Sequence, residues 1–178
     1  CSSYYDFTNQ TIELEKAKTY PLTLTLGSCN ANFNKVAKVY IDWNNDGNFN
    51  DNDELIATSS VINGSEIFTA NITVPPIVNV NTFSILRVVL NETADPNSIN
   101  ACGTYSKGET QDYRVKFLNP ANDVGITSIK EPFSTCPSAP QEVSVIIRNF
   151  GTQDISNIPV SVSIKDEADN DIATLSGI

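Results

Sequence analysis

Short segments that alternate apolar and polar residues run along the whole chain, and no long stretch repeats its apolar residues at helical spacing. The clearest are TYPLTLTLG at residues 19–27 and KVAKVYIDW at residues 35–43. Successive side chains of a strand point to opposite faces of a sheet, so this alternation predicts β-strands with one buried face. Gly, Pro and Asn separate the segments, and the sequence therefore predicts an all-β protein built as an antiparallel β-sandwich. Further strands are predicted at residues 11–18, 54–61, 65–74, 83–90 and 111–118.

The composition changes near Leu118-Asn119-Pro120, which predicts a domain boundary there. Residues 1–118 form the first predicted domain, and residues 119–178 continue the alternation at period two. The second unit is shorter than the roughly 100 residues of an immunoglobulin-like sandwich. We therefore expect this second domain to be incomplete or partly disordered, and the parent protein to be longer.

An Asn- and Asp-rich loop at residues 42–54 carries the most specific functional pattern of the chain. Counted from Asp42, oxygen-bearing side chains stand at positions 1, 3, 5, 9 and 12, and Gly47 occupies position 6. Ca²⁺ takes six to eight oxygen ligands, and the glycine permits the sharp turn that gathers them around one ion. The predicted ligands are Asp42, Asn44, Asp46, the backbone carbonyl of Asn48, Asn50 and Asp53, with Glu54 directly after them.

This loop differs from an EF-hand in two respects. Asp53 replaces the bidentate Glu of the last ligand position, and residues 35–43 before the loop alternate as a strand. We therefore predict a calcium loop between two strands. The alternative is an ordinary turn, because Asn, Asp and Gly also favour hairpin connections.

The charge and composition of the chain exclude several classes of function. A net charge of −10 argues against nucleic acid and anionic lipid surfaces as partners, and it fits cation binding and an extracellular setting. No run of eighteen apolar residues is present, so we expect no membrane insertion. The chain has no histidine, which excludes Ser-His-Asp triads and His-ligated zinc. We therefore expect no enzyme activity in these residues.

The four cysteines are far apart in the sequence and include no CxxC pair. An even number without metal-ligand spacing indicates disulfides formed in an oxidising compartment, with buried free thiols as the alternative. Three connectivities are possible for four cysteines. We favour Cys1–Cys29 and Cys102–Cys136.

Three segments of the first domain together resemble a known family. They are YYDFT at residues 4–8, VYIDWNNDGNFNDNDE at residues 39–54 and GETQDY at residues 108–113. Their order and spacing resemble the GEVED domain of secreted bacterial proteins, especially those of the Bacteroidetes. The commonest family pattern has Gly-Glu where Asp53-Glu54 stands, and a second acidic residue where Gln111 stands. The unit from Asn122 onward is similar to the opening of CARDB-type immunoglobulin-like domains.

The resemblance implies a secreted or cell-surface protein built as a string of modules and often exported by the type IX system. GEVED modules accompany peptidases, other hydrolases and adhesins, and no catalytic activity is attributed to the module itself. Two functions remain open. One is a binding module that helps a surface protein hold an extracellular glycan or protein, and the other is a structural spacer that positions a catalytic domain elsewhere in the parent. The expected partners are therefore other domains of the same protein and possible extracellular ligands.

Other residues allow more than one interpretation. Glu109 and Asp112 could form a second calcium-ligating patch, or they could serve only the backbone of a turn or strand edge. Trp43 follows Asp42 in an alternating strand, so its side chain points to the opposite face of the sheet. We predict that Trp43 anchors the core, and the alternative is a platform on which a sugar ring stacks. The tyrosines could form an aromatic binding surface, although scattered tyrosines are more often half-buried strand residues; they are Tyr4, Tyr5, Tyr105 and Tyr113.

Overall fold

The computed structural model describes residues 2–28, 31–131 and 142–177. Its regular structure in these ranges is β-strand, apart from one 3₁₀ turn at Pro96–Ser98. The chain divides into two compact units, Cys1–Asn119 and Pro120–Ile178. No helix in the described ranges is long and apolar enough to cross a membrane. The prediction of an all-β protein is confirmed.

Eight strands form the first unit, and most coincide with the alternating segments of the sequence. They are β1 Ser2–Glu15, β2 Thr19–Leu26, β3 Asn34–Ile41, β4 Leu55–Thr58, β5 Ile62–Asn63, β6 Glu66–Thr73, β7 Phe83–Asn91 and β8 Gly108–Leu118. The larger sheet has the strand order β1-β8-β7-β3-β4, with β5 also paired to β3. A second sheet consists of β2 and β6 in antiparallel pairing.

The two sheets pack through apolar side chains that lie on one face of the larger sheet, which we call the inner face. Burial of these side chains from water is the main force that holds the layers together. This two-layer arrangement is consistent with the predicted sandwich. The buried core consists of Leu14, Val39, Ile41, Trp43, Ile72, Val74, Leu86, Val88, Val115 and Phe117.

The opposite face of the larger sheet, the outer face, carries a smaller apolar cluster. Val36 and Tyr40 of β3 pack there with Val89 of β7 and with Ile99, which follows the 3₁₀ turn. Phe49 of the Asn- and Asp-rich loop packs against this cluster. The loop is therefore attached to the outer face through an aromatic side chain as well as through its two ends.

One strand pairing departs from the antiparallel arrangement. β1 runs parallel to β8, with Tyr4 opposite Thr110 and Leu14 opposite Phe117, and the register shifts between Phe7 and Thr11. The other pairings of this sheet are antiparallel. Parallel neighbours cannot be joined by a short hairpin. Strands β2 to β7 lie between β1 and β8 in the sequence and provide the long connection that this pairing needs.

The second unit contains two antiparallel strand pairs in its described residues. β9 (Val124–Glu131) pairs with β10 (Ser144–Asn149), and β11 (Val160–Lys165) pairs with β12 (Asp171–Gly177). The period-two alternation is clear in β11, where Val160, Val162 and Ile164 alternate with polar residues.

The predicted disulfides fall largely outside the described residues. Cys1 and Cys29 both lie outside them, as does Cys136. Cys102 is exposed and forms no disulfide within the described residues. Both pairings stay predictions.

Candidate functional site

The Asn- and Asp-rich loop joins the end of β3 to the start of β4, and hydrogen bonds fix both of its ends. The backbone N–H of Ile41 donates to the carbonyl of Glu54 at 3.0 Å, which closes the loop. The N–H of Asp42 donates to the carbonyl of Ile85 at 3.1 Å, and the hydroxyl of Ser84 donates to the carbonyl of Asp42 at 2.5 Å. The first predicted ligand is therefore held by the neighbouring strand β7.

The carboxylate of Asp42 is the centre around which the loop turns. Its oxygens accept hydrogen bonds from the N–H groups of Asn45 at 2.6 Å, Asp46 at 3.2 Å and Gly47 at 3.1 Å. Asn45 and Gly47 have φ angles of 62° and 83°, a left-handed conformation that Asn and Gly adopt more readily than other residues. Only 3% of the Asp42 surface is exposed, so the loop encloses its charge.

The next oxygen-bearing side chains repeat one local bond. The side-chain oxygen of Asn44 accepts a hydrogen bond from the N–H of Asp46 at 2.9 Å. In the same way, a side-chain oxygen of Asp46 accepts from the N–H of Asn48 at 3.0 Å, and the side-chain oxygen of Asn48 accepts from the N–H of Asn50 at 2.8 Å. Each bond spans two residues, which is the Asx-turn pattern. The same alternate positions that predict calcium ligands therefore also shape the loop as a series of turns.

The structure distinguishes Glu54 from Asp53 at the end of the loop. Glu54 is 1% exposed, and its carboxylate accepts the N–H groups of Trp43 at 3.1 Å and Asp51 at 3.4 Å. The side chain of Asp53 is exposed, while its carbonyl accepts the indole N–H of Trp43 at 2.9 Å. Trp43 is buried and packs on Phe117 with ring centroids 5.5 Å apart, so the prediction of a core anchor is confirmed.

Asp51 belongs to the same group, although the calcium template does not point to it. The side-chain amide of Asn44 donates to the carboxylates of Asp51 at 2.8 Å and Asp46 at 3.2 Å. The carbonyl of Asp51 also accepts the N–H of Glu54 at 3.1 Å. The sequence feature that could have indicated Asp51 is its position three residues before Glu54, because residues at this spacing can form a hydrogen bond across a turn.

In the described residues, the buried carboxylates of this loop are bound by backbone N–H groups and not by cationic side chains. Within the ranges that the structure describes, no Lys or Arg forms an ion pair with Asp42 or Glu54. Burial raises the pKa of Glu54 above its usual value, and the neighbouring carboxylates of Asp42 and Asp51 raise it further, although its two backbone hydrogen bonds oppose this. The two hydrogen bonds of Glu54 therefore do not offset the cost of burying its charged form.

The residues of the loop fit a calcium ion in type and in charge. They supply carboxylate, amide and carbonyl oxygens, which are the ligands that Ca²⁺ prefers. In the part of the chain described here, no three acidic or cysteine side chains converge closely enough to hold a metal by themselves. Amide and backbone carbonyl oxygens would therefore have to complete the coordination, as in the predicted ligand set.

The two residues of the predicted second patch do not come together. Glu109 and Asp112 are three positions apart on the regular strand β8, so their side chains lie on opposite faces of the sheet. On the outer face, Arg87 donates to the two Asp112 oxygens at 2.7 and 2.6 Å, and the Tyr4 hydroxyl donates at 2.9 Å. The guanidinium of Arg87 also lies 5.1 Å from the ring centre of Phe49.

Glu109 lies on the inner face beside Gln111 and Tyr113. The Tyr113 hydroxyl donates to the Gln111 side chain at 2.6 Å, and the Gln111 amide donates to the Glu109 carboxylate. All three side chains line a cleft of about 530 Å³ between β2 and the larger sheet. The sequence indicated neither this cleft nor the Arg87–Asp112 pair, because both depend on which strands become neighbours.

Comparison with protein families supports the resemblance of the first unit. The family model of the GEVED domain matches residues 36–116, a range that includes the Asn- and Asp-rich loop and the GETQDY segment. The predicted resemblance is confirmed over these residues. A search among curated proteins gives no match to the chain.

Proposed function

We propose that residues 1–118 form a non-catalytic, Ca²⁺-stabilised accessory module of a larger secreted or cell-surface bacterial protein. The observation that carries this proposal is the burial of the Asp42 and Glu54 carboxylates, 3% and 1% exposed, with no cationic side chain of the described residues paired with either. A divalent cation would compensate this charge. The chain offers the oxygen ligands for such an ion in the same loop.

The residues that would hold the ion are those of the predicted set, with Glu54 favoured over Asp53 because its carboxylate is turned into the loop. Bound Ca²⁺ would supply charge compensation and a crosslink between the two ends of the loop. Asp42 and Glu54 would contribute carboxylates from these ends. Asn44, Asp46 and the carbonyl of Asn48 would contribute oxygens from the turns between them.

Stabilisation of the loop would extend to the sandwich. The loop ends are hydrogen-bonded to each other and to β7 through Ile41, Asp42 and Ile85. Its middle is attached through Phe49, whose ring lies 5.9 Å from that of Tyr40 and beneath the guanidinium of Arg87. A loosened loop would therefore weaken the contacts of the outer face as well as the start of β4.

The arrangement of carboxylates supports a role without catalysis. Two carboxylates can share general acid–base work only if both reach the same substrate. Asp112 is bound by Arg87 on the outer face, whereas Glu109 lies on the inner face. The chain has no histidine that could replace either of them.

The wider context is proposed from the family resemblance. The parent protein would be an exported surface protein of the Bacteroidetes, sent out by the type IX system, in which the second unit begins a CARDB-like immunoglobulin-like domain. The module would support adhesion by binding an extracellular glycan or protein. As a spacer it would only position a catalytic domain of the parent, and the cleft on the inner face favours the binding role.

Calorimetric titration of the full chain with CaCl₂ tests the proposal directly. Wild type should bind one ion per chain, and Asp42→Asn should lose this binding because it removes a buried carboxylate charge. Asp166→Asn is a matched control, since Asp166 is an exposed turn residue that also accepts backbone N–H groups. No heat of binding in wild type would contradict the calcium site. Hydrolysis of peptide or glycoside substrates that disappeared in Glu109→Gln would contradict the non-catalytic role.

A further inference from the structure

The cleft on the inner face has the size and lining of a small-ligand site. Its volume of about 530 Å³ lies within the roughly 300–1,000 Å³ of typical ligand pockets. Apolar side chains such as Leu24 and Val88 form part of its wall. Residues 23–26 of β2 form one wall of the cleft, opposite the polar side chains of β8. Such a mixed lining suits a ligand that has both apolar surface and many hydroxyl groups.

The polar side chains of β8 form an ordered array along this cleft. Glu109, Gln111 and Tyr113 are two residues apart, so they share one face of the strand. The bonds from Tyr113 to Gln111 and from Gln111 to Glu109 fix the orientation of all three side chains. Gln111 has a second N–H group and Glu109 a second carboxylate oxygen, and these can serve a ligand as donor and acceptor.

An aromatic stack leads from the sheet edge to the same cleft. The rings of Tyr5 and Phe7 on β1 are 6.1 Å apart and inclined by 15°, and those of Phe7 and Tyr113 are 5.2 Å apart and inclined by 19°. Tyr5 is 46% exposed, and the register places it opposite Gln111. Stacked rings cover one another's faces, so Tyr5 is the exposed ring of this stack, and Tyr113 joins the stack to the polar array.

The charges of the lining disfavour an anionic ligand. Lys35 is 1% exposed and donates to the carbonyl of Gly64, while Glu92 and Glu109 both contribute carboxylates. Lys107 pairs with Glu92 at 3.4 Å, which leaves the carboxylate of Glu109 as the negative lining charge without an ion pair among the described residues, and the chain as a whole carries a charge of −10. A neutral ligand avoids the repulsion that an acidic one would meet.

We propose that this surface binds a neutral pyranose glycan, with a sugar ring against the exposed Tyr5 of the stack and hydroxyls bonded by Gln111 and Glu109. A pyranose ring presents apolar C–H groups on its faces and donor and acceptor hydroxyls at its edges, which matches an aromatic surface beside fixed polar groups. An extended peptide would instead be expected to pair with a free strand edge through its backbone. The proposal rests on the accessory binding role proposed above and gives that role a ligand class and a site.

The test uses the full chain in excess Ca²⁺ and a panel of neutral hexasaccharides of glucose, mannose, galactose, xylose and N-acetylglucosamine. Polygalacturonate oligosaccharide serves as the anionic comparison, and binding is measured by calorimetric titration. Tyr5→Ala removes the exposed end of the stack, and Gln111→Ala removes the central polar group. Tyr4→Ala is the matched control, because Tyr4 is an exposed tyrosine of the same strand whose hydroxyl bonds Asp112 on the outer face.

At least one neutral hexasaccharide should bind, and Tyr5→Ala and Gln111→Ala should each weaken it by about tenfold or more, whereas Tyr4→Ala should not. Melting curves of every variant establish that the loss is not unfolding. Failure of the whole neutral panel, preference for the anionic oligosaccharide, or equal loss in Tyr4→Ala and Tyr5→Ala would overturn the proposal. A melting temperature that still rises with Ca²⁺ alongside a failed panel would reject the glycan site alone and leave the calcium-stabilised module intact.

Discussion

The carboxylate of Glu54 accepts a hydrogen bond from the backbone N–H of Trp43 at 3.1 Å, directly after the buried Asp42. This bond brings the last acidic residue of the loop to its beginning. It joins a polar site to the core, because Trp43 also packs on Phe117. Any change in the charge of Glu54 is therefore transmitted to a residue that connects the loop with the sandwich.

The first prediction concerns how Glu54 makes the stability of the protein depend on pH when a chelator keeps Ca²⁺ away. Its pKa in the folded state lies above the usual value of 4.5, mainly through burial. The folded protein then binds a proton at Glu54 more tightly than the unfolded chain does, so the free energy of unfolding falls as pH rises from 4.5 through the folded pKa. Over this pH window the melting temperature of the wild type should fall relative to that of Glu54→Gln. Below this window the two melting temperatures should converge.

Excess Ca²⁺ is the control for this pH prediction. The ion favours the charged carboxylate of Glu54. When Ca²⁺ is present, the melting temperature of the wild type should therefore rise relative to that of Glu54→Gln as pH rises. A difference between wild type and variant that does not depend on pH in chelator would show that Glu54 is not perturbed by burial.

The second prediction concerns the pair of Arg87 and Asp112. Arg87→Ala leaves the 5% exposed Asp112 without its cation, and loss of one partner of a buried pair costs about 3–5 kcal/mol. Urea unfolding should show this loss. Lys107→Ala is the control, because the Lys107 side chain is 59% exposed in its pair with Glu92, and such surface pairs contribute at most about 1 kcal/mol. Equal effects of the two variants would contradict a structural role for the pair.

The strands could be predicted from the sequence, but their partners could not. Alternation is a local property, so β2, β3, β6 and β7 coincide closely with the predicted segments. The parallel pairing of β1 with β8 joins residues about as far apart as the first unit allows, and no local pattern encodes it.

The candidate site shows the same limit. The loop template identifies Asp42, Asn44 and Asp46 because their spacing is local. It does not identify Asp51, and it does not decide between Asp53 and Glu54, since the direction of each side chain depends on how β4 begins. Glu109 and Asp112 look like a pair in the sequence, but their odd separation on a strand places them on different faces.

The third prediction concerns proteolysis of the loop. Without an ion, repulsion among the Asp42, Asp46 and Glu54 carboxylates should favour local opening. Protease should therefore cut first between Asn44 and Asn52 in chelator, and this cut should be suppressed in Ca²⁺. The hairpin turn at residues 166–170 is an internal control, because its cutting should not depend on Ca²⁺. A first cut at the same place and rate in both conditions would contradict this prediction.

The fourth prediction concerns the disulfide between Cys1 and Cys29. A closed loop of this length contributes on the order of 3 kcal/mol in the chain-entropy model. Peptide mapping without reductant should recover the peptides of these two cysteines as one linked species. Recovery of Cys1 linked to Cys102 instead would show that the pairing is different.

Thermal melting in excess Ca²⁺ and in chelator tests the central claim most directly. A ligand at a hundred times its dissociation constant adds about 2.7 kcal/mol to the free energy of unfolding. The transition of the first unit should therefore rise by several degrees in Ca²⁺. Asp46→Ala should abolish the rise, and the control Asp166→Ala should keep it. Superimposable melting curves of the wild type in Ca²⁺ and in chelator would contradict the claim that this module is stabilised by calcium.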